Sequence, residues 1–386
     1  MKNFEYCVPT KVAFGKATHL KTGEIIKSLG YKKILFHYGG GSIKATGLYS
    51  RICDSLEKAG IEYIELGGVE PNPKLGFVKK GTRVCKGEGC DMILAVGGGS
   101  VIDSAKAIAV SRFAECDPWD FWMKKAAPTS ALPIGVILTL AASGSETSSS
   151  VVLTNEDGLW KRGFNSELVR PAFSILDPEL TYTVNKYQTA CGITDIMMHT
   201  LERYFSGAEQ TDLTDRLAEG LLKSVIDSGR IVIDNPEDYE ARANLMWAGS
   251  LSHNDLMGLG RSTFSVCHKL EHELSGMYDS IAHGAGLSVL FPAWAKYVYK
   301  ADTERFCQYA QRVWDAPRDS EDAHKTAMYG IAATEEYFKS IGMPTRLSAF
   351  GIPDMKIEEM AGKCGALPAK IPLDINDIIE IFELAR

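Results

Sequence analysis

The chain lacks a Cys-x-x-Cys pair, a Gly-x-Gly-x-x-Gly fingerprint, an excess of basic residues and any apolar run long enough to cross a bilayer. Each absence removes a class of protein. Nine cysteines, at 7, 53, 85, 90, 116, 191, 267, 307 and 364, are odd in number and scattered, so they form no disulfide framework or thiolate metal site and read as reduced thiols of a cytoplasmic protein. A net charge of −7 counts against a nucleic-acid binder, which would carry a basic stripe. The longest largely apolar stretch, Leu132 to Ala142, is about half of the ~20 residues a membrane helix needs, and reads as a buried strand with its following loop. The first fifteen residues include Glu5 and Pro9 and have no apolar signal-peptide core, which predicts no export. Histidine is scarce as well. Of the eight in the chain, however, four fall between positions 253 and 283.

A length of 386 residues exceeds what one hydrophobic core supports, so two domains are expected. From about residue 18 to 180, short β-branched or apolar runs (Lys33–His37, Glu62–Leu66, Met92–Val96, Ile134–Thr139, Phe173–Leu176) alternate with amphipathic helical segments such as Leu48–Ala59 and Ser100–Ser111. That alternation predicts a parallel sheet covered on both faces, with ligands at the carboxyl ends of its strands. Phe4, Tyr6, Val8, Val12 and Phe14 predict a terminal strand or hairpin ahead of it. Pro178 marks a change of character. Residues 185 to 386 carry 3.6-residue apolar periodicity over 213–233, 237–253, 261–274, 285–299, 302–314 and 319–341. The expected architecture is an α/β dinucleotide-binding domain over 1–180 followed by an all-α domain over 181–386.

Two features carry chemistry. Asp195 and His199 are four apart among the apolar residues Ile193, Ile196, Met197, Leu201 and Phe205, so both project from one helix face as a ligand pair. The run His268-Lys269-Leu270-Glu271-His272 and His283 offer imidazoles to complete a site for a divalent ion. A solvated surface pair is the plainer alternative, set against the cost of burying such groups on the apolar side of a helix without a partner. His272, one turn beyond His268, faces the same way and suits proton transfer beside a metal, or simple packing against it. The second feature is a strand, Met92–Val96, that runs into Gly97-Gly98-Gly99-Ser100 and then a helix, where free amides and the helix dipole would receive a pyrophosphate; a plain turn is the alternative.

These blocks resemble the iron-containing alcohol dehydrogenases, in particular the branch of bacterial butanol dehydrogenases and aldehyde reductases. The resemblance runs from Pro9-Thr10-Lys11 to Asn376-Asp377-Ile378-Ile379 and includes, in order, Glu-Pro-Asn-Pro at 70–73, Gly-Gly-Gly-Ser-x-x-Asp-x-x-Lys at 97–106, Ser-Gly-Ser-Glu at 143–146, Gly192–His199, His-x-x-x-His at 268–272, His-Glu-Leu-Ser at 272–275 and Ala-His-Gly at 282–284. It implies the fold shared with dehydroquinate synthase and a metal, Fe²⁺ or Zn²⁺, held by Asp195, His199, His268 and His283. His272 is then the proton-passing group. It also implies cofactor contacts from Asn72, Gly97, Gly98, Gly99, Ser100, Asp103, Thr139, Leu140, Ser143 and Lys161. Threonine is commoner in the family where Ser143 stands, a departure that keeps the hydroxyl. Without the resemblance, Lys161 would read as a solvated lysine on a hairpin.

The implied reaction moves a hydride between NADP(H) and a small primary alcohol or aldehyde. NADP(H) rather than NAD(H) is expected because the strand Lys33–His37 leads into Tyr38-Gly39-Gly40-Gly41-Ser42-Ile43-Lys44, with no acidic residue before Asp54. An acidic side chain here would accept from the ribose 2′-hydroxyl and repel a 2′-phosphate. Gly39, Gly40, Gly41 and Ser42 leave room for the phosphate and can donate to it, and Lys44 adds positive charge if it turns inward. In Leu256–Cys267, Arg261 is the one fixed charge, which favours an uncharged substrate over the acidic one of a dehydroquinate-synthase-like lyase or hydrolase, the competing reading. A nucleotide-binding protein with a structural metal is a third. A homodimer or higher homo-oligomer is expected from the strand-like N-terminus and from the habit of the resembled family.

Overall fold

In the computed structural model, which describes residues 1–207 and 210–386, the chain divides into two compact units, Cys7–Thr183 and Met1–Tyr6 with Val184–Arg386. The first unit is built on eight strands: β1 (Lys11–Phe14), β2 (Lys33–Tyr38), β3 (Glu62–Leu66), β4 (Met92–Gly97), β5 (Ile134–Leu138), β6 (Ser150–Asn155), β7 (Trp160–Asn165) and β8 (Phe173–Leu176). Six of them form one sheet in the order β1-β8-β5-β4-β2-β3, with every pairing parallel. Every residue of β4, β5 and β8 is buried, as expected for central strands with both faces covered, whereas the edge strands β1 and β3 are partly exposed. Strands β6 and β7 form a separate antiparallel hairpin.

The helices of this unit are α1 (Thr22–Ser28), α2 (Ser42–Ala45), α3 (Leu48–Ala59), α4 (Leu75–Glu88), α5 (Gly99–Ser111) and α6 (Trp119–Trp122). Ile52 and Leu56 of α3 pack with Ile34, Phe36 and Tyr38 of β2 in one buried cluster. The described residues of the second unit are built on helices: α7 (Lys186–Ser206), α8 (Asp212–Asp234), α9 (Tyr239–Ser252), α10 (Val266–Met277), α11 (His283–Val298), α12 (Thr303–Val313), α13 (Ala323–Ser340), α14 (Ile357–Cys364) and α15 (Ile375–Leu384). Among the described residues, no helix is long and apolar enough to cross a membrane.

Two expectations need correction. Only Lys11–Phe14 of the first fifteen residues is a strand, because Lys2 donates its backbone N–H to Gly260 O (2.7 Å) and Pro9 has no N–H to give a ladder. The helix expected from residue 261 begins at Val266. Its missing first turn is drawn away by Ser206, whose hydroxyl donates to Phe264 O (3.1 Å) and accepts from Phe264 N–H (2.9 Å).

Candidate active site

Helix α7 is capped by Asn185, whose side chain accepts from Gln188 N–H (2.8 Å), and its middle is buried on all sides. Asp195 and His199 therefore sit inside protein, at 4% and 5% exposure, and a solvated pair is ruled out. Helix α11 meets α7 backbone to backbone: a Cβ on Gly284 would lie 2.2 Å from Cys191 O, so only glycine permits the approach that carries the neighbouring His283 to Asp195. Helix α10 supplies His268.

Three imidazole nitrogens converge on one carboxylate oxygen. His199 Nδ1 and His268 Nε2 each lie 3.4 Å from Asp195 Oδ1, and His283 Nε2 lies 3.6 Å from it. Four donors arranged tetrahedrally about 2.0–2.1 Å from a Zn²⁺-like ion stand about 3.3–3.4 Å apart, which the distances to Asp195 approach; Asp195, His199 and His268 have ligand atoms within 4.8 Å of one another, while His283 groups with Glu271 and His272. His199 Nδ1 is buried and makes no hydrogen bond among the described residues, leaving a lone pair or proton without a partner unless a cation takes it. The opposite nitrogens of the other two rings are engaged: His268 Nδ1 with Glu202, and His283 Nδ1 with Glu271. A carboxylate at each Nδ1 leaves Nε2 as the nitrogen that would bind a metal beside Asp195. The residues fit the metal that the sequence implied.

The electrostatics agree. Burial, reinforced by His253 and His268, pushes the His199 ring well below its ordinary value, toward the neutral form a metal requires. Burial would lower His268 too, but Glu202 and Asp195 outweigh it and push the ring up to about 10, which marks a place where positive charge is strongly favoured. His272 groups with Glu271 and His283 rather than with Asp195, His199 and His268, and is half-buried, with its ring 5.8 Å from that of His283. Sequence reasoning missed Glu202, Glu271 and His253, whose ring stacks on His199 at 4.0 Å. Glu271 stood between two quoted histidines, and Glu202 lies three residues after His199 on the same helix; their acidity was the available signal.

The dinucleotide residues belong to the α/β unit. Gly97 ends β4, Gly98 is the N-cap of α5 without a side-chain cap, and the first intrahelical bond is donated by Val101, so the Gly99 and Ser100 amides open the helix. A Cβ on Gly98 would approach Leu140 to 3.2 Å, and Thr139 N–H donates to Gly97 O (3.1 Å), which brings the loop after β5 against the glycine turn. Ser143 accepts from Ser145 N–H at 3.4 Å. Both carboxylate oxygens of Asp103 are engaged within the unit, with Ser145 Oγ (2.6 Å) and Val152 N–H (2.9 Å), so it shapes the loop. Lys106, fully buried, donates to Ser148 O (2.9 Å) and Ser150 O (2.8 Å), and burial lowers its amine to about 8. Lys161 is buried opposite Thr154 in the β6–β7 hairpin and is not solvated. Asn72 takes a left-handed backbone conformation, φ 53°, beside Pro73, whose carbonyl accepts from Thr154 N–H. Gly39, Gly40 and Gly41 form the turn between β2 and α2, Ser42 opens α2, and Lys44 lies on it.

Residues 9–178 match the family described as iron-containing alcohol dehydrogenase, and residues 189–383 match the C-terminal part of the Fe-containing alcohol dehydrogenase family. The chain belongs to the iron-containing alcohol dehydrogenase family. Like its relatives there, it is an oxidoreductase of the butanol dehydrogenase and YqhD type. It is 43% identical over 389 residues to NADH-dependent butanol dehydrogenase A of Clostridium acetobutylicum, covering 99% of each chain. Against the NADPH-dependent aldehyde reductase YqhD of Escherichia coli it is 37% identical over 369 residues, 94% of this chain and 93% of the relative. The crystal structure of NADH-dependent butanol dehydrogenase A from Thermotoga maritima superimposes with a TM-score of 0.96 at 40% identity, over 100% of this chain and 99% of that one. Membership implies a nicotinamide cofactor and a divalent metal.

Proposed function

We propose that this alcohol dehydrogenase interconverts a small, uncharged primary alcohol and its aldehyde with NADP(H), using Fe²⁺ or Zn²⁺ held by Asp195, His199, His268 and His283. The convergence of three ring nitrogens on Asp195 Oδ1 carries this reading. A divalent ion there supplies Lewis-acid polarisation of a substrate oxygen. The protein's own groups do the rest. Glu202 and Glu271 hold the tautomers of His268 and His283, and His272 passes a proton between substrate oxygen and solvent. Gly97, Gly98, Gly99 and Ser100 receive the pyrophosphate, with Asn72, Thr139, Leu140, Ser143 and Lys161 around the rest of the dinucleotide and Asp103 holding their loop. Gly39, Gly40, Gly41 and Ser42 receive the 2′-phosphate.

An uncharged substrate is favoured because Arg261 is taken up internally, its guanidinium 2.6 Å from Asp215 Oδ1. Elemental analysis tests the ligand set: His268→Ala and His283→Ala should lose metal and turnover together, whereas His272→Ala should keep metal, lower kcat and alter its pH profile. Full metal and turnover in either of the first two variants would refute the assignment. For the cofactor, kcat/KM with NADPH should exceed that with NADH for one aldehyde, and Gly40→Asp should move the preference toward NADH. A wild-type preference for NADH would remove the NADP(H) reading. We place the enzyme in the cytoplasm as a homodimer or higher homo-oligomer.

A further inference from the structure

The NADP(H) reading puts a 2′-phosphate at the turn after β2, and beside that turn the structure holds an acidic group from another strand. Register pairs Glu65 of β3 with Phe36 of β2, so the carboxylate emerges next to the end of β2. Glu65 accepts hydrogen bonds from the hydroxyls of Tyr38 (2.8 Å) and Tyr49, and the Lys44 ammonium stands 3.9 Å from it. The same ammonium lies 4.7 Å from the Tyr49 ring centre and 5.3 Å from that of Tyr38. Lys44 is thus bracketed by two aromatic faces and a carboxylate. The bracket is built into the backbone: a Cβ on Gly67 would come within 2.3 Å of the Tyr38 ring, so glycine is required for Tyr38 to reach Glu65. At Gly40 and Gly41 a Cβ would meet nothing within 4 Å, so the turn beside the bracket is open.

We propose that Glu65 is a specificity-determining residue for the dinucleotide, acting through its hold on Lys44. The turn then presents a neutral lysine–glutamate pair in place of a bare cation. A 2′-phosphate has to draw Lys44 away from Glu65, while a 2′-hydroxyl leaves the pair undisturbed. Glu65 therefore moderates the preference for NADP(H) that the glycine turn and Lys44 create. The Tyr49 hydroxyl holds the Glu65 carboxyl below its ordinary range, so the charge is present throughout the neutral region.

This inference rests on the NADP(H) reading, and the two fail separately: the wild-type preference decides the reading, and its change on substitution decides Glu65. In Glu65→Gln protein the ratio of kcat/KM for NADPH to that for NADH should rise about five- to tenfold, the effect of freeing one cation to stand several ångströms from a dianion. Binding of adenosine 2′,5′-bisphosphate should tighten by a similar factor with that of adenosine 5′-monophosphate unchanged. Adding Lys44→Gln should abolish both gains. Should the Glu65→Gln protein not fold, Glu65→Asp, which keeps the charge but shortens its reach, must move the ratio in the same direction. A ratio within twofold of wild type, or a gain that survives the loss of Lys44, would overturn the proposal.

Discussion

Glu202 is the residue on which the metal reading can be tested without touching a ligand. One carboxylate oxygen accepts from His268 backbone N–H (3.1 Å) and the other engages His268 Nδ1, so a single side chain fixes both the start of α10 and the orientation of the ring. It is buried, and no solvent competes for it. Glu202→Gln keeps the shape and loses the charge that makes His268 a strong donor. Metal affinity, measured by competition with a chelator, should fall roughly ten- to a hundredfold. An unchanged affinity would show that Glu202 only packs.

At the scale of elements, the helical unit is tied by a charge cluster rather than by apolar contact alone. Asp215 of α8 receives Arg305 of α12 through both nitrogens (2.5 and 2.7 Å) and Arg261 (2.6 Å), while Arg305 stacks 3.7 Å from the Tyr204 ring centre on α7. Burial alone would raise the Asp215 carboxyl, but Arg305, with Arg261, holds it down at about 2. Because the folded value is depressed, the stabilisation is complete above the ordinary carboxyl value of 3.8 and is lost as pH falls from there through about 2. Asp215→Asn leaves two guanidiniums without their charge partner and should cost roughly 3 kcal/mol in urea unfolding at neutral pH. The variant's stability should also vary less between pH 4 and 2 than that of wild type. A difference that persists undiminished at pH 2 would mean that Asp215 contributes through packing.

The elements themselves were largely legible, since apolar runs bounded by glycine or proline marked five of the six strands of the main sheet and 3.6-residue periodicity marked the long helices. Asp195 and His199 were legible for the same reason, being four apart on one helix. The carboxylates behind the ligands were not: Glu202 meets His268 across 66 residues, and nothing local says which acid meets which ring. Glu65 escaped because it lies on the neighbouring strand and joins the turn only through sheet register. Helix boundaries moved where a side chain such as Ser206 captured backbone groups from a distant segment.

At the scale of the whole molecule, the edge of the sheet at β1 is where a second chain would pair. Among the described residues strand β1 pairs only with β8, and it ends on the exposed Phe14. Lys11 N–H donates to Ala172 O and Gly15 N–H to Leu176 O, so by strand alternation the N–H of Val12 points away from the sheet. An open edge that carries an exposed aromatic is a template for a second chain, and pairing there would give the proposed homodimer. Val12→Pro separates this idea from its alternatives, because it removes an outward N–H and leaves the bonds to β8 in place. The wild-type protein should scatter as a dimer, with twice the 42.2 kDa of the chain, and the variant as a folded monomer with the same circular dichroism. A Val12→Pro protein that remains a dimer would place the interface elsewhere.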